Sequence, residues 1–326
     1  MNDFRTALHG HELLASRMHF SKQLLEQVRI TAATHPSCSR TDVCVYAAGS
    51  LGRLETGRIS DLDVFLFADR SDRKPGERSL TRLEEIVALS EMVQVNNELR
   101  LPAFSGAGEF FKIHEVADLL AGTGTATDDS ENLFTTRLLL LLESKCIAND
   151  GLYLSATKQI VDMYFRDGKG RHGYRPLFLL NDMLRYWRTL CLNYERTRHD
   201  KKKPWWKKNL NLKFSRKLTV FSSVLAILVD HIDTYEKFEP ILALTPMERM
   251  AYALDRLQDA SLLSNFKAFL DNYEEFLAAK SHAELDVLDP PTSAHYGGTA
   301  QAFDDFLHTA LASPKLDGQL VRYLLI

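Results

Sequence analysis

The sequence lacks the features that define zinc-bound, secreted or membrane-spanning proteins. Its four cysteines form no Cys-x-x-Cys pair, and no His/Cys grouping has zinc spacing. The longest apolar stretch, Leu218 to Val229, falls well short of the about 20 residues needed to cross a bilayer, and we interpret it as a buried helix. The first residues, Met-Asn-Asp-Phe-Arg, lack the charged-then-apolar order typical of a secretory signal. We therefore expect a cytoplasmic protein with reduced thiols and no membrane partner.

The chain also carries little net charge. The 326 residues carry 40 Lys and Arg against 43 Asp and Glu, which gives a formal charge of -3. Such a chain has no overall attraction to nucleic acid or to an anionic membrane, so any electrostatic function must reside in a local cluster. The length is sufficient for two domains, and we find no internal repeat.

Hydrophobic periodicity divides the chain near Asp150. Before it, apolar runs rich in β-formers predict strands, separated by helical patterns. After it, all the periods are helical, as at Leu177 to Cys191 and Phe266 to Leu277. This order predicts an α+β fold, with a mixed-sheet domain over 1–150 and an all-α domain over 151–326. The predicted strands are 43–48, 63–68, 93–101 and 110–114, the predicted helices before Asp150 are 1–33, 79–91 and 133–142, and the predicted loops are 71–77 and 289–293.

The most informative segment joins a small-residue turn to two carboxylates. Gly49 and Ser50 end the first predicted strand, and Asp61 and Asp63 begin the second. Residues two apart on a strand project to the same side, so both carboxylates should face one cleft. Glycine lets the backbone approach a phosphate, and the serine hydroxyl can donate to it. Paired carboxylates are the hard oxygen ligands that Mg²⁺ prefers. The turn and the carboxylates together predict a nucleoside triphosphate site.

A two-metal site needs a third carboxylate. Glu98 is our first choice, because it lies on the predicted strand 93–101 and precedes the turn at Pro102. Glu109, on the next predicted strand, is the alternative.

The pattern Gly-x-x-Gly-Arg-x-Glu-x-x-x-x-Ser-Asp-x-Asp resembles a known family. It is similar to the nucleotidyltransferase superfamily of DNA polymerase β, in the branch of the PII-protein uridylyltransferases and glutamine-synthetase adenylyltransferases. The resemblance covers roughly residues 40–145. The matching residues are Gly49, Gly52, Arg53, Glu55, Ser60, Asp61 and Asp63.

This resemblance implies a nucleotidyltransferase sheet core in which Gly49 and Ser50 hold the triphosphate. It implies that Asp61 and Asp63 hold Mg²⁺, with two ions expected and Mn²⁺ able to substitute, and that the third acid falls at or near Glu98. We include Arg53 and Ser60 among the nucleotide-binding candidates. For Arg53 the alternative is an ion pair with Glu55 that braces the loop.

A basic segment interrupts the helical half. From Lys201 to Lys217 the chain has eight cations, no acid and two tryptophans. We expect residues 201–208 to form a charged loop, and a helix to begin near Asn211. Since a helix N-terminus attracts anions, Lys213 and Arg216 are predicted to face the phosphates across the interdomain cleft.

The sequence thus predicts a Mg²⁺-dependent nucleotidyltransferase that binds ATP or another NTP. It would transfer a nucleoside monophosphate to a hydroxyl on a protein or RNA acceptor, with release of pyrophosphate and without DNA sequence recognition. The alternatives are a catalytically weak, nucleotide-binding regulatory protein on the same fold, and a tRNA-modifying toxin or defence enzyme.

Overall fold

The protein is represented by a computed structural model that describes residues 3–70, 74, 76–104, 111–168, 174–198, 205–281 and 290–324. It divides into two compact units. We call Ser16–Arg166 the sheet unit, and Met1–Ala15 together with Asp167–Ile326 the helical unit. Each unit is presented by itself.

A four-stranded mixed sheet forms the centre of the sheet unit. Its strands are β1 (Val43–Ala47), β2 (Val64–Ala68), β3 (Ile113–Glu115) and β4 (Lys145–Ala148), in the order β3-β2-β1-β4. β1 pairs antiparallel with β2 and with β4, whereas β2 and β3 are parallel. The predicted strands 43–48 and 63–68 are confirmed, as is the mixed α/β class. β4 was not predicted.

Helices pack around this sheet and share its apolar core. They are α2 (Glu12–Ala32), α3 (Gly49–Gly52), α4 (Arg82–Glu98), α5 (Val116–Ala121), α6 (Ala126–Ser130), α7 (Leu133–Glu143) and α8 (Asp150–Tyr164). The core between them is aliphatic: Val28, Val45, Leu66 and Met92 are all almost fully buried.

The strand predicted over 93–101 is wrong, because α4 continues through it to Glu98. Thr81 opens the helix with a capping box, its hydroxyl accepting from the backbone N–H of Glu84. Arg100 closes the helix with a φ of +52°, so that the following N–H reaches back to the Asn96 carbonyl in a Schellman motif. The Val93-Gln94-Val95 alternation is too short to outweigh these two caps.

The helical unit is all α. Its helices are α1 (Asp3–His9), α9 (Leu177–Thr197), α10 (Trp205–Asn211), α11 (Lys217–Val229), α12 (Tyr235–Leu242), α13 (Pro246–Leu257), α14 (Leu262–Lys280), α15 (Pro290–Leu311) and α16 (Gly318–Tyr323). α11, predicted from its apolar run, is buried along almost its whole length. Stacked rings of Phe214, Phe269, Phe276 and Phe303 fill the core.

A buried arginine ties three helices of this unit together. Arg249 is 1% exposed and donates to the carbonyls of Ile241 and Leu244, at 3.2 and 3.0 Å, and to the hydroxyl of Ser223. The guanidinium thus binds the carbonyls of Ile241, in the last turn of α12, and of Leu244, in the connection to α13.

Three predictions in the helical half need correction. The chain from 290 to 293 belongs to α15, although a loop was predicted there. No new helix begins near Asn211, because the π-helical turn Leu212–Arg216 joins α10 to α11 without a break. Lys213 and Arg216 therefore do not lie at a helix N-terminus. Residues 205–208 are helical, and 199–204 lie outside the described part of the chain.

Domain limits differ from the predicted boundary near Asp150. α8 packs on β1, α5 and α7, which extends the sheet unit to Arg166. α1 packs on α13 and α14, so that residues 1–15 group with the helical unit. Among the described residues, no helix combines the length and hydropathy required to span a membrane.

Candidate functional site

The site predicted from the motif forms where β1 and β2 run side by side. The ladder between these strands continues one residue beyond β1, because the backbone N–H of Ala48 donates to the carbonyl of Asp63 at 2.9 Å. Gly49 follows with a φ of +61°. A Cβ placed on Gly49 would lie only 1.9 Å from Oδ2 of Asp63. The Asp63 carboxylate therefore rests against the bare Cα of Gly49.

Asp61 and Asp63 precede β2 and show the predicted alternation in burial. Leu62 and Val64 are 3% and 5% exposed, whereas both aspartates are half-buried. This alternation places the two carboxylates on the side opposite the core residues. β2 itself begins at Val64, so both aspartates lie in the segment that leads into it.

Hydroxyl groups hold the connection between the glycine turn and the aspartates. Ser50 is 9% exposed, and its Oγ accepts from Thr56 Oγ1 at 3.2 Å. The backbone N–H of Thr56 donates to Ser21 Oγ at 2.9 Å. Ser60 accepts from the N–H of Gly57 at 3.1 Å. Ser60 thus stabilises the turn directly before Asp61, and its predicted contact with nucleotide stays a prediction.

A buried ion cluster lies beneath the same turn. The guanidinium of Arg53 donates to Glu55 Oε2 at 2.9 Å and to Glu143 Oε2 at 2.6 Å. All three side chains are at most 6% exposed. The Arg53–Glu55 pair that the sequence suggested is therefore present, and it includes a second acid contributed by α7. These bonds fasten the end of α3 to α7.

A second arginine, Arg17 on α2, also contacts this loop. A Cβ on Gly57 would lie 1.9 Å from a guanidinium nitrogen of Arg17, so the guanidinium packs directly on the Gly57 backbone. Burial lowers the pKa of Arg17, while the nearby Glu55 carboxylate acts in the opposite direction. The connection from Arg53 to Ser60 is thus contacted by two arginines, Arg53 itself and Arg17.

The third carboxylate is not found where it was predicted. Glu98 lies at the end of α4, not on a strand, and its Oε1 is 3.3 Å from Nε2 of His35. Its side chain is 53% exposed. The alternative, Glu109, lies outside the described residues. Within the described ranges, no group of three or more His, Cys, Asp or Glu side chains is arranged to hold a metal ion.

β3, next to β2, carries two buried polar residues that the sequence did not single out. Glu115 accepts from the N–H of Ser79 at 3.0 Å and from its hydroxyl at 2.6 Å. His114 lies 3.3 Å from Thr136 Oγ1. Burial, together with the nearby Lys112, lowers the pKa of His114 to about 4, so this imidazole is neutral at physiological pH.

Lys213 and Arg216 belong to the helical unit. Both side chains are half-buried on the π-helical turn. Their predicted contact with phosphates stays a prediction. It can no longer be attributed to a helix N-terminus, because the helical backbone is continuous here.

Glu143 and Arg17 are the site-supporting residues that sequence reasoning missed. Glu143 ends the leucine run Leu138–Leu142, and an acid at the end of such a run is a signal for a buried partner. Arg17 lies on α2 and has no local signal, since its contact with Gly57 forms only in the folded sheet unit.

No family model matches this chain, and neither the curated proteins nor the solved structures contain a significant relative of it.

Proposed function

We propose that the protein is a nucleotidyltransferase that moves a nucleoside monophosphate from an NTP to a hydroxyl group on a protein or RNA. In this reaction the acceptor hydroxyl loses its proton to solvent and its oxygen bonds to the α-phosphorus. The bond from the α-phosphorus to the oxygen that bridges to the β-phosphorus breaks, and pyrophosphate leaves. The single observation that carries the proposal is the contact between Asp63 and Gly49, because it joins the glycine turn and the carboxylate pair into one site.

The donor set is suited to magnesium. Asp61 and Asp63 offer hard oxygen atoms on one side of the chain, and both are half-buried, so they retain access to solvent and substrate. Mg²⁺ is commonly bound by one or two carboxylates, with water and substrate phosphate completing the shell. When bound, the metal would supply positive charge to the phosphates and acidify the attacking hydroxyl.

The turn provides the phosphate contacts in this proposal. The space that a Cβ of Gly49 would fill is taken by the Asp63 carboxylate, so in this proposal the backbone N–H groups of the turn hold the phosphate. Ser50 accepts the hydroxyl of Thr56 and so retains its own proton to donate to a phosphate oxygen. Arg53 acts at one remove, because its guanidinium is engaged with Glu55 and Glu143 and positions the end of α3.

The proposal is tested by measuring which phosphate of the NTP is transferred to the acceptor. The full chain is incubated with Mg²⁺, a cell lysate and each of the four NTPs, labelled in turn on the α- and the γ-phosphate. A nucleotidyltransferase incorporates the α-label alone, whereas a kinase incorporates the γ-label alone. Digestion of the products with protease or RNase then assigns the acceptor class.

Variants complete the test. Asp61→Asn and Asp63→Asn should each abolish incorporation, while Asp69→Asn, which removes the same charge beyond the other end of β2, should not. Glu98→Gln and Glu109→Gln compare the two candidates for the third carboxylate. Absence of α-label incorporation with every NTP, or full activity of Asp63→Asn, would refute the proposal.

A further inference from the structure

Positive charge is concentrated in one stretch of the helical unit. From Met183 to Lys217 the chain has twelve Lys and Arg and only two acids, although the whole chain has more acids than bases. The nucleotide site lies in the sheet unit and does not account for this stretch. Segregated charge of this density is typical of surfaces that meet a polyanion.

α9 presents part of this charge as a row on one face. Arg185, Arg188 and Arg196 lie at positions i, i+3 and i+11, which are on the same side of an α-helix and extend over about 16 Å. Leu192, between them, is 70% exposed. Arg188 and Arg196 are exposed, whereas Arg185 is half-buried and lies 3.5 Å from Asp182. This face is therefore directed to solvent.

Local ion pairing accounts for Arg185, which lies near Asp182, but not for Arg188. The residues three and four positions from Arg188 are Leu184, Arg185, Cys191 and Leu192, none of which is acidic. Like charges at these spacings destabilise a helix slightly, so the row costs stability in the free protein. Arginine also matches phosphate oxygens with two parallel hydrogen bonds, which makes this face suited to an external polyanion.

The neighbouring tryptophans have structural roles and do not form an exposed stacking platform. Trp206 is 6% exposed, and Trp205 packs on Tyr194 with ring centroids 5.5 Å apart. The cation of Arg198 lies over the Trp205 ring at 5.6 Å. These contacts fasten α10 to α9. Recognition at this surface must therefore come from charge and not from base stacking.

We propose that the face of α9 bearing Arg185, Arg188 and Arg196 binds the phosphate backbone of an RNA, and that this RNA is the acceptor of the transferred nucleotide. The second half of this inference rests on the proposed function. Because phosphates carry the binding, affinity should depend strongly on salt and little on base sequence.

Binding is tested with fluorescein-labelled unfractionated tRNA and the full chain, by anisotropy between 50 and 300 mM KCl. Loss of two phosphate contacts in Arg188→Gln/Arg196→Gln should weaken binding roughly 30-fold at 0.1 M salt and reduce the salt slope by about two. The control Lys267→Gln/Arg322→Gln removes two exposed charges elsewhere in the helical unit and should change affinity less than about twofold.

Three results would overturn the inference: wild-type affinity in the α9 variant, competition by poly-L-glutamate equal to that by tRNA, or α-label found on protein and not on RNA. The last result would leave the proposed function standing, with a protein acceptor. Absence of label from every acceptor, with tRNA binding intact, would instead refute the proposed function. Asp63→Asn should bind tRNA normally and fail to label it.

Discussion

Gly49 and Gly52 lie three residues apart in the same short helix, yet alanine should have different effects at the two positions. At Gly49 it should mainly reduce activity, and at Gly52 it should mainly reduce stability. At Gly49 the new Cβ would meet the end of a side chain, Oδ2 of Asp63 at 1.9 Å. At Gly52 it would meet backbone, the carbonyl oxygen of Glu143 at 2.0 Å and that of Ala47 at 3.0 Å. A side chain can rotate away, whereas strand and helix backbone cannot.

The cost to folding should therefore be small at Gly49 and large at Gly52. At a φ of +61°, alanine costs about 1–2 kcal/mol, and a less flexible unfolded chain offsets about 0.4–1 kcal/mol of it. The net loss for Gly49→Ala is about 1 kcal/mol. For Gly52→Ala we expect a loss of about 3 kcal/mol or more, because α3 and α7 must separate.

For the rate of nucleotide transfer by folded molecules the order should be reversed, so that Gly49→Ala loses more activity than Gly52→Ala. The Asp63 carboxylate must move by at least about 1.5 Å to reach ordinary contact distance from a Cβ. A displacement of about 1 Å at a catalytic group can cost about 100-fold in rate, so Gly49→Ala should lose about that factor of α-label incorporation while it remains folded.

The assay must report on the sheet unit itself. All three tryptophans, at 187, 205 and 206, belong to the helical unit, so tryptophan fluorescence does not follow β1 and β2. Hydrogen exchange of peptides from these strands gives the free energy of opening directly. If Gly49→Ala transfers label at the wild-type rate, or if Gly52→Ala is no less stable than Gly49→Ala, the geometric argument is wrong.

Three further outcomes test the buried charges. Arg53→Met should lower the stability of the sheet unit by about 3–5 kcal/mol by hydrogen exchange, and Glu143→Gln in the same background should restore part of it, since one buried acid is removed. In the unfolded chain His114 is protonated below about pH 6.5, whereas in the folded chain its pKa is about 4. The free energy of unfolding should therefore decrease as the pH is lowered from about 6.5 to about 4. From pH 7 to pH 5 the wild type should lose about 2 kcal/mol more than His114→Gln, and equal losses would contradict the burial argument. Arg249→Lys should destabilise the helical unit by about 2 kcal/mol in urea followed by tryptophan fluorescence, and the exposed Arg256→Lys by less than about 0.5 kcal/mol.

Local periodicity was a reliable guide where a segment makes its own structure. β1 and β2 followed from short apolar runs, and α11 from its continuous hydrophobicity. The alternation expected around Asp61 and Asp63 is present in the burial pattern, with Leu62 and Val64 buried and both aspartates half-buried. Each of these inferences needs only the pleat of a strand or the pitch of a helix.

Prediction failed where caps or distant contacts decide the outcome. Val93 and Val95 alternate as in a strand, but Thr81 and Arg100, at the two ends of α4, make that stretch helical. Placement of Glu98 as a metal ligand depended on that strand, and the structure pairs it with His35 instead. A few alternating residues carry less free energy than a capped helix packed on a sheet.

The sequence by itself determined the elements of the site: a glycine turn, a two-residue carboxylate spacing and the strand that presents it. Tertiary structure alone decided that Asp63 lies against Gly49 and that Arg53 reaches Glu143, ninety positions further along the chain. The physical reason is that helix and strand periods depend on neighbouring residues, whereas an ion pair in the core depends on which distant segments the sheet brings together.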